Sequence, residues 1–507
     1  MTQLDVADDL APRLAMFRRR LEGPIMAPIR AFRLAYLPLV MIYLASGALG
    51  LVAVADSFWV KSSLTLSPTD LASLAVWLQL PWTAKMVFSE FVDAVPIFGS
   101  QRRVYTVIGG MLTAGGLLLL AATAAGWISS VQPEHVYVLA QFLVVIGGVI
   151  QEVVADAMSA EVVPHARPDG TPRPQSDIDA DLAMVQVLAR LAYSIGALSV
   201  AWLAGVLAQS LPYAGVFLIG VAVPVLSMAG ALLIRLETSV GRAIDWRILG
   251  GGAALAATAA MLGLSGFRFA QEITFVLALA IICLMLRRLF ADLQSRTRRL
   301  IVVAAIMIFA FRAVPTLGDG YRWFTMDQLG FDERFFGVLQ LTGTAIGLIA
   351  MWLMSDSVMR RPVRAVLLWL TLIATLLWLP SLLLVHGVHE WTQAVLDIGP
   401  RTIAMIDEAA QSPLALLATV PLLTLIARFA PAHHRATWFA LVASLMSLAI
   451  VASQLLTKYL NLVFPIERGD YSQLGWLVGS VVAISLVLPL TAIVLFGRRL
   501  EGKASSD

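Results

Sequence analysis

Long apolar runs separated by short polar breaks follow one another from about residue 35 to residue 497. Most reach the roughly 20 residues that a helix needs to cross a hydrocarbon core of about 30 Å. Read against their breaks, they predict fourteen spans. Six come first, at about 35–60, 69–93, 104–127, 134–163, 180–209 and 213–236. Two shorter ones follow at 247–265 and 272–290, and six close the chain at 299–328, 334–356, 363–388, 401–430, 434–461 and 472–497. Backbone groups in a bilayer must find partners internally, so such spans are helices. The expected fold class is an all-α polytopic membrane protein.

Charge orders these spans. With the N-terminus inside, 26 of the 36 Lys and Arg fall in inner loops and tails, 7 fall outside, and Lys85, Arg190 and Arg312 lie within spans. That bias is the positive-inside signal, and it places both termini in the cytoplasm of a cell (inner) membrane. Basic segments at 235–247 and 287–299 flank the middle pair, whose turn GFRFAQE carries one arginine, as an inserted transmembrane hairpin would require. The expected division is an amphipathic cytoplasmic segment at 1–34, a six-helix bundle at 35–236, a linker with the hairpin at 237–298, a second bundle at 299–498 and a tail at 499–507. In 1–34, Leu14, Phe17 and Leu21 stand beside Arg18, Arg19 and Arg20, which suits the anionic inner surface of a membrane or a basic tail that only fixes orientation. Two six-helix halves around a pathway is a major-facilitator-like arrangement.

Composition narrows the function classes. Apolar residues at 59% and charged ones at 14% exclude a soluble enzyme, a disordered chain and a secreted disulfide scaffold. The net charge of +3 is accounted for by the inner loops, so no nucleic-acid partner is expected. No GxxxxGK loop is present to bind ATP, and six histidines make no metal spacing, so neither a metal nor another cofactor is expected. The expected partners are a small-molecule substrate, protons and the lipid bilayer, with the protein a monomer.

Ionisable groups at depth cost about 2.5–3.5 kcal/mol each, so each calls for a reason. Glu152 and Asp156 share a helix face, with Glu161 about a turn further on. Gln186, Arg190 and Tyr193 form a stripe on the next span, and Lys85, Glu90 and Asp93 lie on the second, beside Trp82. The run 299–328 holds Arg312 and, past Pro315, Gly318 and Gly320, Asp327. Those residues suggest a broken helix of the kind that borders transporter sites, or a helix ending near Pro315 with an outer loop after it. Asp407, Glu408 and Gln411 lie on the run 401–430. Together they predict a polar solute pathway. Arg190, Arg312, Gln186, Lys85, Trp82 and Asp327 are substrate-binding candidates, and Asp156, Glu152, Asp407 and Glu161 are proton-coupling candidates. The alternative is structural pairing: Arg190 with Asp156 or Glu152, and Arg312 with Asp407 or Asp319. A weak repeat, VDAVPIFGSQRRVY and SDSVMRRPVRAV, offers two gating latches, Asp93 with Arg102 and Arg103, and Asp356 with Arg360 and Arg361. These arginines could instead serve topology alone.

Several ordered blocks carry a family resemblance: SGALGLVAVADSFWVKSSL, LPWTAKMVFSEFVDAVPIFGSQRRVY, EVVADAMSAEVV with Gln186 downstream, FRAVPTLGDGYRWFTMDQLGFDERFFG, and IDEAAQSPLALLATVPLLTLIARFAP followed by RATWFALVASLMS. The chain resembles the folate–biopterin transporter family of the major facilitator superfamily over about 42–236 and 305–465. The resemblance implies proton-coupled movement of folates, pterins or related small organic ions. It matches Lys85, Asp93, Arg102, Arg103, Asp156, Glu161 and Asp407 to family positions. Glu152 stands where an aspartate is usual, Arg312 and Arg190 stand at uncharged positions, Arg435 replaces a glutamate, and the hairpin at 247–290 has no counterpart. The expected function is a secondary active transporter, proton-coupled, for an anionic, aromatic solute. The alternative is a non-transporting membrane assembly or pigment-delivery factor of related fold.

Overall fold

The computed structural model describes residues 32–100, 102–164, 166–167, 171–234, 246–289, 295–359, 363–417 and 435–501. The expected amphipathic segment up to residue 31, Arg360, Arg361 and the tail after residue 501 lie outside the described residues. Nearly all of what is described is helical, and among the described residues nine helices are long and apolar enough to cross a membrane.

The first group runs α1 (Leu34–Ser63), α2 (Pro68–Thr83), α3 (Lys85–Ala94), α4 (Arg103–Ala124), α5 (Pro133–Glu161), α6 (Gln175–Ser210) and α7 (Tyr213–Leu232). A central pair follows, α8 (Trp246–Leu264) and α9 (Ala270–Leu289). The last group is α10 (Ser295–Arg312), α11 (Gly318–Asp327), α12 (Glu333–Met359), α13 (Val363–Leu376), α14 (Leu379–Val385), α15 (Val388–Leu396), α16 (Pro400–Leu417), α17 (Arg435–Val463) and α18 (Leu474–Glu501).

Two breaks position the polar residues. The run 69–93 is two helices, not one. Ser67 opens α2 with a reciprocal cap to Asp70, Pro81 sits in its last turn, and the backbone leaves helical geometry at Ala84. Lys85 therefore begins a new helix. The run 299–328 also divides. Proline at 315 cannot supply a helical N–H, α10 stops at Arg312, and Gly318, at a φ of +67°, restarts the chain as α11. The segment after Pro315 is thus a second short helix and not a loop.

Glycines let helices meet backbone to backbone. A Cβ on Gly47 of α1 would lie 2.0 Å from the Tyr193 carbonyl oxygen of α6. The two groups join along α2 with α17 and along α6 with α12. At the second seam a Cβ on Gly205 would come within 2.5 Å of the Glu333 carbonyl oxygen and 2.8 Å of the Gly337 Cα. The central pair packs outside both groups, with α9 against α2 and α17 and α8 against α3. Gln271 donates to the Ser73 carbonyl at 2.9 Å, and Lys458 pairs with Glu272 at 2.9 Å. Ala278, Ile282 and Leu286 bury against Ile301, Met307 and Leu445 in one apolar cluster.

Candidate functional site

The first polar cluster gathers α1, α3, α5 and α6. Because α3 begins at Lys85, its ammonium projects from a helix start toward α5. Nζ lies 2.6 Å from Glu152 Oε1 and 3.0 Å from Asp156 Oδ2. Tyr43 donates to the other Asp156 oxygen at 2.7 Å, and the Trp82 ring centroid is 6.0 Å from the ammonium. The Asp156 side chain keeps 51% of its surface accessible, so the cluster opens to its surroundings. Gln186 donates to Ser159 at 2.8 Å. Arg190 is exposed and within electrostatic reach of Tyr43, but Lys85 is the cation that holds the carboxylates of Glu152 and Asp156.

Beyond this cluster Arg102 joins two acids, Asp93 at 2.7 Å and Glu161 at 3.1 Å. Glu161 thus sits with Asp93 and Arg102, apart from Asp156. Arg103 is exposed. The corresponding set in the last group is Asp356, Arg360 and Arg361. Both arginines and the side chain of Asp356 fall outside the described residues.

At the opposite face the two groups are tied together. Lys61 of α1 pairs with Asp327 of α11, and Tyr471 donates to the same carboxylate. Arg468 donates to the carbonyls of Val60, Leu64 and Leu66, and its guanidinium lies 5.0 Å from the Trp323 ring centroid. Tyr213 donates to Glu333 at 2.9 Å. Asp327, expected at the substrate, belongs to these ties, and Trp323 is buried beneath Arg468.

Between the groups lies a cavity of about 500 Å³. Ser57 and Phe58 come from α1, Tyr321 and Arg322 from α11, Gln340 from α12, and Asp407 and Glu408 from α16. Asp407 is buried and accepts from Ser381 at 3.0 Å and Gln411 at 2.6 Å, both neutral donors. Arg322 donates to Ser57 and lies 5.8 Å from the Phe336 ring centroid. Arg190 and Arg312 do not line this cavity. Arg312 Nε is buried without a hydrogen bond, and Arg312 forms no ion pair among the described residues. The cation on the cavity wall is Arg322, which the count of basic residues places on the outer side. A smaller cavity of about 240 Å³ adjoins it, lined by Asp56, Tyr137, Gln141, Asp319 and again Arg322. Asp56 accepts from Tyr137 at 3.2 Å and Gln141 at 3.1 Å. Neither Asp56 nor Arg322 is a candidate from the sequence. The signal available was their place in ADSFWVK and DGYRWF, two blocks of the resemblance.

A family model described as the BT1 family matches residues 46–506. The chain belongs to the BT1 family. The "Folate-biopterin transporter" of Synechocystis sp. is 28% identical over 459 residues, 90% of this chain and 80% of that protein. "Folate transporter 1" of Plasmodium falciparum is 20% identical, covering 85% of this chain and 74% of its own length. Among solved structures, a POT family transporter in complex with 5-aminolevulinic acid superposes with a TM-score of 0.65 at 13% identity, covering 91% of this chain and 96% of that one. The nucleoside transporter NupG gives 0.61 at 10% identity, covering 91% and 100%. The BT1-family chain therefore has the fold of the major facilitator transporters. It is a multi-pass membrane transporter and not an enzyme.

Proposed function

We propose that this BT1-family protein is a secondary active transporter that moves a small organic anion of folate or pterin type by alternating access, together with protons. The observation that carries the reading is the cavity of about 500 Å³ at the seam of the two groups. Its size lies within the range of about 300–1,000 Å³ common for small-molecule sites. Its walls are of opposite character. Arg322 can take a carboxylate with two parallel N–H groups. Phe58, Phe336 and Tyr321 offer aromatic faces, and Asp407 and Glu408 can accept from ring amino groups. Names of relatives from Synechocystis and Plasmodium point to the same solute class.

The same proposal includes fourteen crossings, a six–two–six division and both termini in the cytoplasm of an inner membrane, resting on the basic-residue bias. The open cluster of Lys85, Trp82, Glu152, Asp156 and Gln186, with Arg190 nearby, forms the approach to the cavity. Asp93, Arg102 and Glu161 hold the helix ends beside it.

Thermal stabilisation of the purified protein tests the solute. A ligand present at 100 times its dissociation constant adds about 2.7 kcal/mol to stability. Folinic acid is expected to raise the melting temperature clearly, and a neutral pterin far less. Arg322→Gln removes most of the difference. Equal stabilisation by the neutral pterin contradicts the anion reading.

A further inference from the structure

The smaller cavity brings together acids from both groups. Asp56 lies on α1 and Asp319 on the first turn of α11. Asp56 has two neutral donors, Tyr137 and Gln141 of α5. Asp319 lies deep in the protein in the wall of the same cavity and receives no hydrogen bond from any described residue. The facing α2 contributes only Leu71, Leu74, Ala75 and Leu78. On α1 itself the next cation, Lys61, is engaged by Asp327. Among the described residues Arg322 is the cation that faces the acids, and Tyr137 the other titratable group.

Two carboxylates against one guanidinium leave a negative charge in excess, which the apolar wall of Leu71, Leu74 and Leu78 beside them penalises. One proton cancels it. Arg322 and Ser57 line both this cavity and the larger one, so the compensating cation is shared between the acids and whatever occupies the solute site. We infer that Asp56 and Asp319, one from each half, together hold the single exchangeable proton that accompanies the solute, with Arg322 as the shared switch. An anion that recruits Arg322 leaves the acids uncompensated, and one of them takes a proton from water. Separation of the halves hydrates both acids, and the proton returns to water. The inference rests on the transporter reading and specifies its coupling site.

The test uses the full chain with Cys283→Ser and spin labels at Ser129→Cys, in the loop between α4 and α5, and at Gln393→Cys, on α15, two exposed positions of opposite groups at the face carrying Lys61. Electron–electron distances in lipid nanodiscs, recorded from acid to alkaline pH without solute, report separation at that face. In the parent protein a longer distance is expected to grow as pH rises. Asp56→Asn and Asp319→Asn should each flatten the response, while Asp56→Glu and Asp319→Glu keep it. If the Asn variants do not purify, Tyr137→Phe carries the test: it removes a donor to the Asp56 carboxylate and is expected to move the midpoint to higher pH. An unmoved midpoint overturns the inference.

Uptake of radiolabelled folinic acid into proteoliposomes separates the two claims. Gradient-driven accumulation that survives both Asn substitutions overturns the proton site and leaves the transporter reading standing. A pH response that depends on the two acids, with no folinic acid uptake by the parent protein, upholds the site and rejects the solute.

Discussion

Lys85 binds two carboxylates at once, and its position at the start of α3 lets it do so. Removing it leaves Glu152 and Asp156 side by side without a cation. A fully buried pair broken in this way costs about 3–5 kcal/mol, but these acids are part-exposed, so solvent screening should reduce the loss for Lys85→Gln to about 1–2 kcal/mol. Melting curves check it, and adding Asp156→Asn should recover most of the loss. A Lys85→Gln variant that melts with the parent protein would show that the pair contributes nothing. The two acids were legible in the sequence, because their four-residue spacing within an apolar run needs an explanation, but the pairing considered for them there was with Arg190 and not with Lys85. The cavity cation was not legible. Arg322 and Asp56 stand near the ends of their apolar runs, where a hydropathy count treats charge as solvated. Only the return of the chain as α11 brings Arg322 back against α1. Arg190 and Arg312 looked like cavity cations for the opposite reason, since depth along a span says nothing about which face a side chain takes.

At the scale of elements, breaks decide what meets what. Pro315, Gly318 and Gly320 announced the division of α10 from α11, because proline removes a donor and glycine admits a positive φ. Pro81 precedes Ala84 by the same three residues, but it stays inside α2 and no glycine follows it, so the division of α2 from α3 was not legible. The seam glycines were equally silent, since a glycine in a helix acquires meaning only from its neighbour. At Gly205 that neighbour is the α12 backbone. Gly205→Leu should therefore force α6 from α12 and lower uptake several-fold, while Gly115→Leu on α4, where nothing lies within 4 Å of the added Cβ, should leave it unchanged. Equal uptake by both variants would mean that the close seam has no part in transport.

For the molecule as a whole, the alternation of apolar runs was enough to give an all-helical membrane fold, and the matched family and solved structures agree with it. The packing of the central pair was not readable. Hydropathy shows that α8 and α9 are apolar, but their position follows from Gln271 on Ser73 and Glu272 on Lys458, one contact to each group. The ties that close one face also lay beyond the sequence, because each joins residues far apart in the chain. Lys61 with Asp327 spans 266 positions. Alternating access requires these ties to part in every cycle. The most direct test places Lys61→Cys and Asp327→Cys in the Cys283→Ser background and bridges the two thiols with a short bifunctional thiosulfonate, while folinic acid uptake into proteoliposomes is followed. Uptake should stop as the bridge forms and recover on reduction. Uptake that continues with the bridge complete would contradict transport by separation of the two halves.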